Sequence, residues 1–251
     1  MFRLFLAELF KLRRSKLWLT SLAVPVFLFS IFLIGLGNVD ERPAWTMLET
    51  GASYAWAYFL LPMTATVITA MMGQIEYRPN TWSYMLTLPQ RKWQVFLVKA
   101  IVALVVMALI SALVVGASIG AGKVHGLLRP DYAFFGMVPW KHMGKEMFEI
   151  WLASFLLIAI QFGVAMRFGG LILPLLTGIG GVFLAILVGT LNQLKFLGIA
   201  TENYNFMPWL LPANMLSSEA GLGTQTLLIG GLGGGALFIV IAVWLSRKDW
   251  N

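Results

Sequence analysis

Long stretches without a charged residue dominate this chain, at 17–39, 50–75, 100–122, 148–166, 168–194 and 220–246, the fourth taking in Glu149 at its outer end. A bilayer core about 30 Å thick needs roughly 20 apolar helical residues to cross it. Helix is the expected form because hydrocarbon offers no water to unpaired backbone groups, and the strict alternation of a barrel strand is missing. The pattern predicts an all-α membrane protein with six transmembrane helices in a single domain covering 1–251. Two further segments have their own periodicity. In 1–16, Phe2, Phe5, Leu6, Leu9, Phe10 and Leu12 share one half of a helical wheel, and Arg3, Ala7, Glu8, Lys11 and Arg14 share the other. That is the pattern of an amphipathic helix lying along a leaflet. A secretion signal fits less well, since about 21 apolar residues exceed an h-region and no small-x-small cleavage site follows. Between spans five and six, the segment 195–219 holds a charge-free apolar stretch, 203–216, that is broken by Pro208 and Pro212 and too short to cross. A re-entrant pair of short helices dipping into the outer leaflet is expected there.

Composition strengthens this reading. Of 251 residues 59% are hydrophobic and only 12% charged, and the mean hydropathy is +0.81. A soluble fold of this size could not hide so much apolar surface. Disorder is excluded on the same grounds, and with no cysteine there is no thiolate zinc site and no disulfide framework. The net charge of +7 becomes an orientation signal. With both termini inside, 12 of the 18 Lys and Arg fall in inner segments, and 8 of the 11 acids fall outside. Basic residues on the cytoplasmic side set topology, so both termini are expected in the cytoplasm and nucleic acid is not an expected partner. Trp18, Trp45, Trp56, Trp140, Trp151 and Trp244 fall near span ends, where interfacial indoles belong.

The inner loop 76–99 is longer than a connection requires. Pro79 ends what precedes it, Asn80 or Thr81 can cap a new helix, and Trp82, Met85 and Leu86 share a face before Pro89 stops the run. With Glu76, Arg78, Arg91 and Lys92 flanking that face, two readings stand on spacing alone: a helix docking into a groove on a cytosolic partner, or a segment resting on lipid.

Catalytic signals are sparse. Gly116 to Val124 resembles a phosphate-binding loop only faintly, because Ala117 replaces the first glycine and Val124 the Mg²⁺-holding hydroxyl. Gly116/Gly120, Gly230/Gly234 and Gly231/Gly235 instead have the spacing that brings helices close. No Gly-x-Ser-x-Gly or His-Glu-x-x-His motif is present, so no catalytic residue is assigned. His142, Glu146 and Glu149 fall on one helical face, but Lys145 adjoins them and a solvated face is the reading, with no metal site. No ionisable residue lies well inside a span, which argues against a proton-coupled carrier. Thr64, Thr66, Thr69 and Gln161 are the main intramembrane polar groups, suited to helix-to-helix hydrogen bonds or to a substrate path.

The basic stretch with Glu8 and Lys11-Leu-Arg-Arg-Ser-Lys16, and the loop Glu76-x4-Thr81-x6-Leu88-Pro89-x9-Lys99, resemble the permease subunits of type-2 ATP-binding-cassette exporters. With its length and its Pro208-Trp209…Pro212 loop, the chain is most similar to lantibiotic-immunity and bacitracin-type permeases. Asn80 stands where many relatives carry glycine; asparagine also tolerates a left-handed turn. The resemblance implies a separate ATPase subunit docking on 76–92, holding ATP and Mg while this chain binds no cofactor. It implies a second permease copy, identical or paralogous, and a bacterial inner-membrane location. Cargo would be an amphipathic compound such as a peptide antibiotic or lipid, exported for self-immunity or resistance. Coupling would fall to Glu76, Arg78, Thr81, Trp82, Met85, Leu86, Arg91 and Lys92. An energy-independent channel or secondary transporter, and a membrane-embedded metalloenzyme, are the competing classes.

Overall fold

The computed structural model describes residues 1–39, 41–77, 91–193, 206–217 and 221–247. Every extended element among them is helical, in the order α1 (Phe2–Arg14), α2 (Leu17–Leu36), α3 (Trp45–Ala55), α4 (Leu61–Tyr77), α5 (Lys92–Leu128), α6 (Trp140–Ala153), α7 (Phe155–Phe168), α8 (Ile172–Gln193), α9 (Leu211–Asn214), α10 (Leu222–Leu227) and α11 (Gly234–Ser246). A π-helical turn, Trp56–Leu60, joins α3 to α4, and a second, Leu228–Gly233, joins α10 to α11. Each pair thereby forms one continuous rod.

Four rods are long and apolar enough to cross a membrane: Leu17–Leu36, Trp45–Tyr77, Lys92–Leu128 and Leu222–Ser246. The pair α6 and α7 makes a fifth if counted as one span bent by 47°, and Ile172–Val188 of α8 is a shorter apolar stretch. The second rod begins at Trp45, five residues before the expected span. Helix α5, at 37 residues, is about 55 Å long and overshoots a bilayer core at both ends. It runs unbroken through Gly116 to Val124, so the faint phosphate-loop pattern is plain helix. Of the expected re-entrant segment 195–219, the described part holds the single short helix α9; 194–205 and 218–220 lie outside the described residues.

Helix α2 packs along α5, α4 against α7 and α8, and α11 against both α7 and α5. The shared core contains Trp56, Phe96, Phe162, Ile68, Met107 and Ile158, all essentially closed to solvent. At the end opposite α1, the Arg129 guanidinium donates to the Gly37 carbonyl at 2.7 Å and the Val39 carbonyl at 3.2 Å, satisfying acceptors that α2 leaves open at its C-terminus. This basic residue thus has a structural role independent of topology.

The bend at Ser154 and the glycines of the last rod belong together. The Ser154 hydroxyl donates to the Trp151 carbonyl at 2.6 Å, drawing off an acceptor where the helix breaks. Into the break fit Gly230 and Gly234. A side chain at Gly230 would collide with the backbone of Ala153, and one at Gly234 with the backbone of Phe155 and Leu156. Backbone-to-backbone approach of this kind drives helix association in lipid, where apolar burial is no advantage. Gly231 and Gly235 do not share it, since Gly235 has open space around it. Gly116 likewise faces open space, and Gly120 meets only the Phe29 ring.

Replacing Gly234 by leucine is expected to wedge α11 from the bend and cost about 1–3 kcal/mol, the usual range for overpacking. Gly235→Ala should leave stability within about 0.5 kcal/mol of wild type or raise it. Thermal unfolding of the detergent-solubilised chain checks the contrast, and equal effects at the two positions would refute the packing account.

Candidate functional site: a buried charge ring at the base of the inner loop

Three helices meet at the basic end of the molecule. Helix α1 turns Phe2, Leu6 and Phe10, spaced four apart, to the outside at 73%, 38% and 62% exposure. Of its polar half, Arg3 and Ala7 are exposed but Glu8 is buried against the protein, as is Leu12 of the other half. Glu76, one residue before the end of α4, and Lys99, two turns into α5, are buried in the same place.

The four charges close a ring. Lys99 Nζ lies 2.6 Å from Glu8 Oε2 and 2.7 Å from Glu76 Oε1. Lys11 Nζ lies 3.0 Å from Glu8 Oε1 and 3.0 Å from Glu76 Oε1. Each ammonium thus bridges both carboxylates, and the set is neutral as a whole. Burial works against the charge on Lys11, but the neighbouring Glu8 and Glu76 outweigh it and raise its pKa above the ordinary lysine value. Lys11 therefore stays charged at any physiological pH. Charges taken this far out of water are held only by such mutual pairing.

This ring joins the helix ends that flank residues 78–90. The chain leaves α4 just after Glu76 and re-enters at Arg91, the N-cap of α5, two helical turns before Lys99. A second fastening lies beside it. The Tyr77 hydroxyl donates to the Met166 and Arg167 carbonyls, at 3.0 and 3.2 Å, at the inner end of α7. The Tyr77 ring covers Gly169, whose φ of +65° closes α7 in a left-handed turn that favours glycine and leaves no room for a side chain.

The sequence-derived residues fall into three groups. Glu76 is in the ring, and Arg91 and Lys92 are exposed at the start of α5. Arg78, Thr81, Trp82, Met85 and Leu86 lie outside the described residues. The intramembrane polar residues are buried between helices. Thr64, Thr66 and Thr69 donate back to the Leu60, Pro62 and Ala65 carbonyls of their own rod, at 2.5, 2.8 and 2.7 Å. The Gln161 amide donates to the Pro174 carbonyl at 3.2 Å and accepts from the Gly178 N–H at 3.0 Å, tying α7 to α8. Thr64 also lines a groove between α2 and α4.

At the opposite end of the molecule, His142 Nδ1 lies 2.5 Å from Glu49 Oε1, Glu146 accepts from the Ser53 hydroxyl, and Glu149 lies 3.7 Å from Lys145. The face considered for a metal thus has other partners. Among the described residues no three ligand-type side chains gather around one point.

Glu8, Lys11 and Lys99 were legible as parts of the basic stretch and of the loop pattern, but not as a site. Their pairing spans 91 residues between Glu8 and Lys99, and no local period reports it. The available signal was a glutamate and a lysine three apart on the polar half of an interfacial helix, with Glu76 and Lys99 at the two ends of the loop between spans two and three.

Lys99→Met leaves two buried carboxylates without their buried partner, with only the partly exposed Lys11 still bridging them, and is expected to cost about 3–5 kcal/mol. Lys11→Met, at a position 37% exposed, should cost clearly less. Thermal unfolding in detergent orders the two variants, and a Lys99→Met protein as stable as Lys11→Met would contradict the ring.

A family model described as ABC-2 family transporter protein matches residues 4–217, which take in all four members of the ring. No curated protein and no solved structure gives a match. The match covers most of an all-helical chain that carries several membrane-length rods. Permeases of this family typically pair with an ATPase subunit. The chain belongs to the ABC-2 transporter family, as a membrane permease component of an ATP-binding-cassette exporter.

Proposed function

We propose that this permease is the six-span subunit of an exporter for an amphipathic compound, a peptide antibiotic or a lipid, and that it serves self-immunity or resistance. In this reading α6 and α7 form one bent span and α8 another, both termini face the cytoplasm, and the chain sits in a bacterial inner membrane beside a second permease copy. ATP and Mg are held by the separate ATPase, which docks on the 78–90 segment through Trp82, Met85 and Leu86, flanked by Arg78, Arg91 and Lys92. The observation that carries the reading is the charge ring, which fastens the base of that segment to α1, α4 and α5 together. When nucleotide binding closes the ATPase pair, a push on the loop reaches three helices as one body.

Grooves on the lipid-facing sides support an amphipathic cargo. One, of about 270 Å³, lies between α2 and α4 and is almost wholly apolar, with Thr20 and Thr64 as its polar points. Another, of about 280 Å³, lies between α5 and α6 beside Ser111, Phe148 and Trp151. A cargo reaching either from the bilayer keeps its apolar part in lipid-like surroundings throughout.

Arg78→Glu combined with Trp82→Ala is expected to weaken ATPase docking by roughly 30-fold, as loss of an aromatic anchor worth about 2 kcal/mol implies. Cargo-stimulated ATP hydrolysis in proteoliposomes should fall accordingly, while the variant still inserts in the membrane. Unchanged hydrolysis and resistance, or cargo movement by the chain without any ATPase, would overturn the reading.

A further inference from the structure

Away from the ring, α3 and α6 are joined by two polar contacts one helical turn apart. His142 Nδ1 lies 2.5 Å from Glu49 Oε1, and the Ser53 hydroxyl donates to Glu146. Glu49 and Ser53 are four apart on α3, as His142 and Glu146 are on α6, so each helix turns one face to the other. Other contact between these two helices is sparse. Helix α4 packs closely along α7, whereas α3 and α6, which precede them across the π-turn and the Ser154 bend, touch at few places. Beyond the bend, α7 is fastened to the far end of α4 by Tyr77, which donates to the Met166 and Arg167 carbonyls. Helix α6 is thus free of that fastening, and the two polar rungs are its main tie to α3.

The partners of the first rung differ in access to water. The His142 side chain is 72% exposed and lies ahead of the apolar run 148–166, while Glu49 is buried. A buried carboxylate holds its charge far better beside a cation than beside a neutral ring. In return, the hydrogen bond from Glu49 and its charge raise the His142 pKa above the ordinary 6.5, with Glu146 adding to the rise and Lys145 opposing it. Lys145 itself lies 3.7 Å from Glu149. Helix α3 has no charge besides Glu49. Of the other elements packed on α6, α5 brings Lys123 and the buried His125 to this end, and α7 carries only Arg167, at its far end. Helices α9 and α10 and the second π-turn carry no charged residue.

We propose that this contact is a proton-operated latch: a proton on His142 holds α6 against α3, and its loss lets α6 swing about the Ser154 bend. Exposed histidines paired across an interface are suited to such switching. A folded-state pKa above the unfolded value makes the contribution complete below about pH 6.5 and removes it as the pH rises through the raised value. Helix α6 also walls the groove of about 280 Å³ against α5, through Gly144, Met147, Phe148 and Trp151, so the same motion changes that groove. The latch stands on the contact itself; only its bearing on cargo rests on the function proposed above.

The test uses the purified full chain in detergent, without nucleotide, cargo or ATPase. The chain has two histidines, so histidine-selective nuclear magnetic resonance gives two signals, and the one absent from His142→Gln belongs to His142. It is expected to titrate above about 6.5, and Glu49→Gln should bring it back toward that value. Spin labels at the exposed positions Met47 and Lys141 then report the separation of α3 and α6. One narrow distance distribution is expected at about pH 5.5, with a longer component added at about pH 9. His142→Gln should show the longer component at both pH values; because the replaced side chain is exposed, this variant keeps its fold even if Glu49→Gln does not. A His142 midpoint at or below about 6.5, or identical distances at both pH values with His142 and Glu49 intact, would overturn the latch. A pH response that persists in His142→Gln would overturn it too, and assign the response to another group such as His125. Failure in any of these ways leaves the export reading untouched.

Discussion

Two carboxylates and an ammonium group withdrawn from water, with a second ammonium at their edge, have to satisfy one another at one end of a membrane protein, since neither hydrocarbon nor packed helices will. Glu8, Lys11, Glu76 and Lys99 do so in a ring whose distances run from 2.6 to 3.0 Å. Removing a buried member leaves the others buried with fewer counter-charges, so the cost of breaking the set greatly exceeds the net gain from forming it. Such a device adds little overall stability but resists any change that separates its parts. Placed where α1, α4 and α5 meet, it joins three helices at one point.

The remainder of the bundle obeys a different constraint. In lipid, helices gain nothing from hiding apolar surface from one another, and close backbone contact and satisfied polar groups decide how they pair. The last rod meets the α6–α7 bend through Gly230 and Gly234, and Gln161 stitches α7 to α8 through backbone groups of α8. Tyr77 completes the set by binding carbonyls that the end of α7 would otherwise leave open. Charged contacts hold one side of the loop base and backbone contacts the other.

The features legible in the sequence were those with a local period. The apolar run from 17 onward is α2, the wheel of 1–16 is α1, and the spacing of Gly230 and Gly234 announced close approach. Gly231 and Gly235 carry the same spacing without the contact, because spacing specifies a face and not what stands opposite it. The bend at Ser154 was hidden, since neither proline nor glycine marks it and the apolar run passes straight through. All of the ring but Glu76 escaped for a related reason. Glu8 and Lys11 read as the wet side of an interfacial helix, and only the folded arrangement turns that side toward Glu76 and Lys99. Long-range pairing of charges leaves no imprint on a single sequence.

The central claim is mechanical: α1 travels with the base of the loop because the ring joins them. The chain has no cysteine, so spin labels can be introduced at the exposed positions Ala7 and Lys92 without background. Electron paramagnetic resonance distances between them, in the complex with the ATPase, then report the junction directly. The account predicts one narrow distance distribution, the same with and without trapped ATP, that broadens when Lys99 is replaced by methionine. A distance that shifts between nucleotide states while the ring is intact, or one indifferent to the loss of Lys99, would contradict it.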